Sequence, residues 1–371
     1  MTHRLLAEAR ARTAEVVAAL ESIVVVESPS EDQGACRRAL EATAMVSDAW
    51  LRDSSQVMEL RDGTACLRWG PLAPRILLLG HVDTVWPNGT IDRLPFTRSG
   101  DRVTGPGVFD MKAGVVQAIL ALRLAETVDD VGLLLTTDEE IGSRGSREVI
   151  AASCSRAEAV LVFEPSVDGA LKTRRKGTSW YRLDFVGRAA HAGLDPQRGV
   201  NALLAASAAA IDLSDLADGD TTVTPTLLSA GTTANTVPAA AELTIDVRAW
   251  SAEEQTRVDR GITAYQPSRG SMTVSGGVDR PALEHAMTHR LFAIAERVAV
   301  DLGLPPLEQA SVGGASDGNL TAAAGVPTLD GLGAIGDGAH ADHEWASVSG
   351  MTDRAALAAG VIRALMAREP G

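Results

Sequence analysis

Three short runs of the chain carry no charge and are apolar or nearly so: residues 76–79 (ILLL), 131–137 (VGLLLTT) and 159–163 (AVLVF). Each has strand length and is bounded by Gly, Pro or charged residues, which predicts strands buried on both faces. Residues 111–126 carry a nearly continuous apolar face at helical spacing, and 145–152 predicts a shorter helix. Buried strands alternating with helices imply a largely parallel sheet. Ahead of them, residues 4–24 and 33–51 read as amphipathic helices separated by SPSED (28–32). Residues 56–69 read as a hairpin turning on Asp62-Gly63.

The pattern changes after residue 173. Tyr181, Leu183 and Phe185 alternate with Arg182 and Asp184, and Leu243, Ile245 and Val247 repeat the alternation. Such strands predict an antiparallel sheet with one wet face. Residues 200–213 predict a helix, and Ser251-Ala-Glu-Glu254 is a capping box opening another. Pro281 leads into a long helix at 283–302, Gly-rich loops follow, and an Ala/Leu-rich helix runs from 352 to about 368, stopped by Pro370. The fold expected is α/β: a catalytic domain of residues 1–173 and 283–371 with a mostly parallel central sheet, and an inserted α+β domain of residues 174–282 with an antiparallel sheet.

Composition narrows the function. Aromatics are 4%, so Ala, Leu and Val must fill the core. A net charge of -14 argues against a nucleic-acid partner. Three scattered cysteines (Cys36, Cys66, Cys154) fit neither a disulfide framework nor a thiolate zinc site and suggest a reducing compartment. No window is apolar enough to span a membrane, and the N-terminal residues lack the apolar core of a signal peptide, so a cytoplasmic protein is expected.

The chemistry-bearing residues cluster at predicted strand ends and in Gly-rich turns: His81, Asp83, Asp110, Glu139, Glu140, Glu164 and His340. Imidazole plus carboxylate without thiolate is the donor set of a hydrolytic zinc, manganese or cobalt site. Asp110, Glu140 and Glu164 with a bridging hydroxide would neutralise two divalent ions, whereas one ion would leave an overcharged pocket. Glu139 is then free to act as a general base; in an extended segment it would point away from Glu140. Each piece alone has an ordinary alternative, a solvated acidic loop or a hydrogen-bonded histidine. Gly105-Pro-Gly107 is equally an ordinary turn, and as a dinucleotide fingerprint it lacks the third glycine. The conjunction at strand ends carries the argument.

The stretches GHVDTVWPNG, GPGVFDMKAG, TTDEEIGS, VFEPS, GRAAHAG, NTVPAAAELTIDVR, GGASDGN and GAHADHE resemble the acetylornithine deacetylase / succinyl-diaminopimelate desuccinylase / glutamate carboxypeptidase family of co-catalytic metallohydrolases. They cover nearly the whole chain, and GHVDTVWPNGT with the FEPS glutamate looks most like the glutamate carboxypeptidase and aminoacylase branches. The resemblance implies that Asp110 bridges two divalent ions, Zn2+ first and Co2+ or Mn2+ as substitutes. His81 and Glu164 would complete one site, and Glu140 and His340 the other. Glu139 would be the general base and then the acid for the leaving amine, and Asp83 would orient His81. It also implies a cis peptide at Asp110-Met111.

By the same resemblance the inserted domain is a lid that carries a homodimer interface. His191 would polarise the scissile carbonyl, in cis or in trans, and Asn235 and Arg248 would bind the substrate's free carboxylate. From the residues alone, His191 is a surface turn histidine, and Arg248 is as well read as a salt-bridged residue on a wet strand face. The 311–319 loop offers amides for an anion or is simply a tight turn. Arg174, Arg175 and Lys176 read either as a hinge-side basic cluster for an anionic substrate or, as such runs more often are, simply as solvated; Lys112 and Trp86 read as structural. His343 is a second candidate ligand beside His340, which is preferred because it directly follows the Gly-rich turn. The expected activity is cleavage of the amide of an N-acyl amino acid or small peptide, releasing a C-terminal amino acid. A biosynthetic deacetylase, desuccinylase or dipeptidase of the same family is the alternative, and a ligand-binding protein on the same fold is the non-enzymatic one.

Overall fold

A computed structural model describes residues 2–126 and 128–367 of the 371-residue chain. It divides into two compact units. One is built from residues up to Arg174, from His285–Ser311 and from Ser316 onward; the other comprises Arg175–Glu284 with Val312–Ala315.

The first unit is organised around a six-stranded sheet in the order Gln56–Glu59, Ala65–Trp69, Val131–Thr136, Ile76–His81, Ala159–Val162, Thr328–Leu329. The four strands from Val131–Thr136 to Thr328–Leu329 run parallel, and the hairpin adds an antiparallel edge. Its turn falls at Gly63, whose φ of 88° a side chain would resist. The three apolar runs are fully buried because the sheet is covered on both faces. Leu78, Leu133 and Leu161 face a large core with the helices Ala113–Ala125, His285–Leu302 and Val348–Met366. Their neighbours Leu77, Leu79, Leu134, Val160 and Val162 face a smaller core with the helix Arg147–Cys154. Period-2 alternation thus persists geometrically although both sets are apolar. Gly114 brings the helix Ala113–Ala125 hard against the sheet: a Cβ there would lie 2.0 Å from the Phe163 carbonyl oxygen.

Several boundaries differ from the sequence expectation. The 4–24 helix is two, Thr2–Ala11 and Thr13–Val24. At the break, Arg12 leaves helical geometry (φ −97°, ψ 11°) and Thr13 Oγ1 donates to the Arg10 carbonyl at 2.7 Å, a local bond that competes with the helical ladder. The 111–126 helix begins only at Ala113, because Asp110 and Met111 hold non-helical angles; the peptide bond between them is cis. The last helix starts at Val348, capped by Ser347, whose hydroxyl accepts the Gly350 N–H at 3.0 Å. Its expected end at residue 368 and the stop at Pro370 lie outside the described residues.

The second unit has a four-stranded antiparallel sheet in the order Thr222–Ala230, Ala240–Ala249, Gly177–Val186, Ser271–Arg280. Tyr181, Leu183, Phe185, Leu243, Ile245 and Val247 point to one face and pack under the helices Ala202–Ser214 and Ala252–Ala264. Ser251 caps the second helix by accepting the Glu254 N–H at 3.2 Å. Residues 312–315 cluster with this unit rather than with the rest of the C-terminal region, because Lys176 N–H donates to Val312 O and Arg175 Nη1 to Gly314 O, both at 3.0 Å. Where the chain enters and leaves the unit, Arg175 and Leu283 exchange both backbone hydrogen bonds, at 3.0 and 3.1 Å.

Candidate metal centre

Three neighbouring parallel strands end side by side. Register places His81 opposite Thr136, and Leu79 opposite both Leu134 and Val162. Whatever follows these strands must gather at one carboxyl edge. His81 closes the central strand, Glu139 and Glu140 follow its neighbour on one side, and Glu164 follows the neighbour on the other. Asp110 comes from the turn before the helix Ala113–Ala125, and His340 from a loop where its own φ is 62°.

The side chains meet as two triads that share Asp110: His81, Asp110 and Glu164, and Asp110, Glu140 and His340. Within each triad the donor atoms lie within 4.8 Å of one another. His81 Nε2 is 3.5 Å from Asp110 Oδ1 and 3.6 Å from Glu164 Oε1. His340 Nε2 is 3.2 Å from Glu140 Oε1 and 3.7 Å from Asp110 Oδ2. Each oxygen of Asp110 therefore faces a different triad. His343 belongs to no such group among the described residues.

Behind these side chains lies a layer of fixed hydrogen bonds. Asp83 is fully buried, with Oδ1 3.3 Å from His81 Nδ1. Its oxygens also accept Ser30 Oγ–H at 2.7 Å and the N–H groups of Glu139 and Glu140 at 3.3 and 3.2 Å. Residues 139–141 form one tight helical turn rather than an extended segment, so the alternation argument for Glu139 and Glu140 does not hold; shared anchoring on Asp83 fixes them instead. Glu344, 3% exposed, accepts N–H groups from Gly107, Phe109, Asp110 and the Trp86 indole. Ser30 and Glu344 escaped the sequence reading; the signal for Glu344 was its place four residues after His340.

The electrostatics favour positive charge at the centre. Burial alone would lower the His81 pKa, but Asp110, Asp83 and Glu164 override it and hold it well above the usual histidine value. The Glu140 carboxylate lifts His340 to about 9. Burial raises Glu140 itself, against the hydrogen bond from His340. Lys112 is held down to about 8 by burial; it donates to the Ile23 and Val26 carbonyls and is structural, as read from the sequence.

The remaining expected site residues lie in the second unit. His191 and Thr236 form an antiparallel bridge, and Ala192 N–H donates to the Asn235 carbonyl at 2.9 Å, so one structure holds His191 and Asn235 together. The exposed His191 ring accepts the Gly193 and Leu194 N–H groups on Nδ1, at 3.1 and 3.2 Å. Arg248 forks onto Asp246 through Nε and Nη2 at 2.9 and 3.0 Å, the strand-face ion pair that was its ordinary reading. In the 311–319 loop, Ser316 and Asn319 close a capping box and Ser316 Oγ donates to Asp330 at 2.7 Å; the amides of Gly318 and Asn319 bond to Ser316. That supports the tight-turn reading.

The residues suit divalent cations. Two imidazoles and three carboxylates form a hard, oxygen-rich donor set without thiolate. Asp110 Oδ1 is buried and accepts no hydrogen bond among the described residues. Oriented donors around such an atom, at the edge of a mostly parallel sheet, are the arrangement a metal-dependent hydrolase requires. Comparison with known proteins agrees: residues 77–364 match the model of peptidase family M20/M25/M40. The chain is 32% identical over 308 residues to carboxypeptidase G2 of a Pseudomonas strain, spanning 77% of this chain and 73% of that one. Among solved structures, aminopeptidase PepT of Bacillus cereus superposes with a TM-score of 0.70 at 21% identity, covering 99% of each chain. An M20 family metallo-carboxypeptidase of Sulfolobus solfataricus gives 0.66 at 13% identity, over 95% of this chain and 98% of that one. The structural likenesses establish the fold alone. The chain belongs to peptidase family M20/M25/M40, metal-dependent hydrolases of amide bonds. Among the described residues no helix is long and apolar enough to cross a membrane.

Proposed function

We propose that this chain is a carboxypeptidase- or aminoacylase-type hydrolase holding two divalent ions, zinc foremost. It would cleave the amide of an N-acyl amino acid or short peptide and release the C-terminal amino acid. The observation that carries the reading is Asp110, whose two oxygens face two separate donor groups. In this reading His81 and Glu164 hold one ion, Glu140 and His340 the other, and Asp110 both. The similarity to carboxypeptidase G2 supports a substrate with a free carboxylate.

When bound, the ions would polarise the scissile carbonyl and acidify the attacking water. Glu139 takes that water's proton as the C–O bond forms and delivers it to the amine nitrogen as the C–N bond breaks. Asp83 holds the imidazole of His81 and the backbone of Glu139 in one frame. His191 donates to the carbonyl oxygen as it gains charge. Asn235 and Arg248 receive the substrate's carboxylate; with Nε and Nη2 on Asp246, Nη1 of Arg248 is the group left to meet it. A homodimer through the second unit is supported by its apolar outer features: Leu204 and Ile211 on the helix Ala202–Ser214 are 52% and 67% exposed, and the edge strand Thr222–Ala230 exposes Leu227 and Leu228. The free, buried cysteines support a reducing, cytoplasmic setting.

The test is release of free amino acids from a panel of N-acyl amino acids and dipeptides, with and without added Zn2+, Mn2+ or Co2+. Metal-dependent release by the wild type, abolished in a folded, metal-binding Glu139→Gln variant, is expected. Retention of most activity in that variant would sink the mechanism.

A further inference from the structure

One buried carboxylate ties together the segments that bear the candidate ligands. Glu344 Oε1 accepts the N–H groups of Phe109 at 2.8 Å and Asp110 at 3.0 Å. Its Oε2 accepts Gly107 N–H and Trp86 Nε1–H, both at 2.9 Å. All four donors are N–H groups and each oxygen takes two, so the carboxylate's lone pairs are used and Glu344 is not itself poised as a ligand. Three of the donors are backbone groups of the turn that presents Asp110. The fourth belongs to the loop leaving His81 and Asp83. Glu344 itself stands four residues beyond His340, and its own N–H donates to the Ala341 carbonyl at 2.9 Å.

Gly107 shows how closely the turn is specified. Its φ is 71°, and a Cβ there would lie 2.5 Å from Thr84 Cγ2, so the turn that aims its N–H at Glu344 admits no side chain without displacement. Among the described residues the Asp110 carboxyl faces only the imidazoles of His81 and His340, at 3.5 and 3.7 Å, which in this reading are its fellow ligands, so its fixed attachment is on the backbone side. Its placement therefore depends on its backbone, and Glu344 grips that backbone. On the reading of the site given above, we infer that Glu344 is a positioning residue for the metal centre: it fixes the shared Asp110 relative to the His81 and His340 loops through a four-donor anchor. Charge-assisted hydrogen bonds of this kind hold geometry more firmly than neutral ones.

Glu344→Gln is the informative substitution. The amide retains the shape but offers an acceptor on one side only; on the other its NH2 confronts two N–H donors. Supporting residues of this kind typically contribute 10–100-fold to metal affinity. Zn2+ affinity, measured by competition with a chromogenic chelator, is expected to fall about 10–100-fold in Glu344→Gln. The visible spectrum of the Co2+-loaded protein is expected to change as Asp110 shifts, while far-UV circular dichroism of the metal-free protein stays native. A purely structural role would lower metal-free stability and leave Zn2+ affinity and the Co2+ spectrum as in the wild type; that result overturns the inference. Should Glu344→Gln fail to fold, Trp86→Phe removes one of the four donors and leaves the carboxylate. A weakened Zn2+ affinity there supports the anchor, and an unchanged one overturns it. A wild type that binds none of the three metals would remove the metallohydrolase reading itself, and this inference with it.

Discussion

Gly114→Ala sets two effects of opposite sign against each other. Alanine favours a helix interior over glycine by about 1 kcal/mol, so propensity alone predicts stabilisation. The new methyl, however, would sit 2.0 Å from the Phe163 carbonyl oxygen, about 1 Å closer than any tolerated contact. That oxygen is backbone of the segment that continues into Glu164 and cannot rotate away as a side chain would. The helix Ala113–Ala125 must retreat by about 1 Å, and overpacking of this kind costs roughly 1–3 kcal/mol. The clash should at least cancel the propensity gain, for a net loss of about 0–2 kcal/mol. The same retreat moves Asp110 away from Glu164, so metal affinity should fall with stability. Urea unfolding of the metal-free protein, followed by tryptophan fluorescence, measures the first quantity, and chelator competition the second. A variant more stable than wild type by the propensity increment, with unchanged metal affinity, would refute the reasoning.

Other outcomes follow from the same structure. Removing metal with a chelator should lower the melting temperature and stop turnover, and restoring Zn2+ at about 100 times its Kd should return about 2.7 kcal/mol; a chelator-insensitive melting curve would contradict a site that links three strand ends. Burial pushes the thiols of Cys36, Cys66 and Cys154 up to about 12, 11 and 12, so a thiol reagent at pH 8 should label none rapidly in the native protein and all three after denaturation. The paired change Leu204→Asp and Ile211→Asp should halve the mass measured by light scattering after size exclusion if the second unit carries the dimer contact; an unchanged mass would exclude that face.

The sheet was legible because its central strands are apolar on both faces, a pattern with few other readings at strand length. The candidate metal donors were legible because strand-end acids and histidines are rare in combination, and the register of three adjacent strands brings His81, Glu140 and Glu164 together. What stayed hidden depends on long-range backbone contacts that carry no periodic signal. Ser30 reaches Asp83 across 53 residues and Glu344 reaches the Asp110 turn across more than 200, so neither partner can be found from its own neighbourhood. The break at Arg12 is one residue leaving helical angles, below the resolution of an amphipathic pattern. The turn at Glu139–Ile141 was misread because two adjacent carboxylates seemed to require opposite directions, whereas Asp83 gathers both backbones.

The hydrogen-bonded pair Arg175 and Leu283 has a consequence for how such a chain can be rebuilt. An insertion whose two ends are stitched together at one place asks little of its host beyond a gap at a single position. The inserted residues have their own core and their own capped helices, so apart from Val312–Ala315, which bond to Arg175 and Lys176, the second unit is delimited like a cassette. Every donor of the two triads lies outside that cassette. Exchange of the insert between relatives, joined at these two residues, would then vary less than a third of the chain while the residues of the two triads stay unchanged.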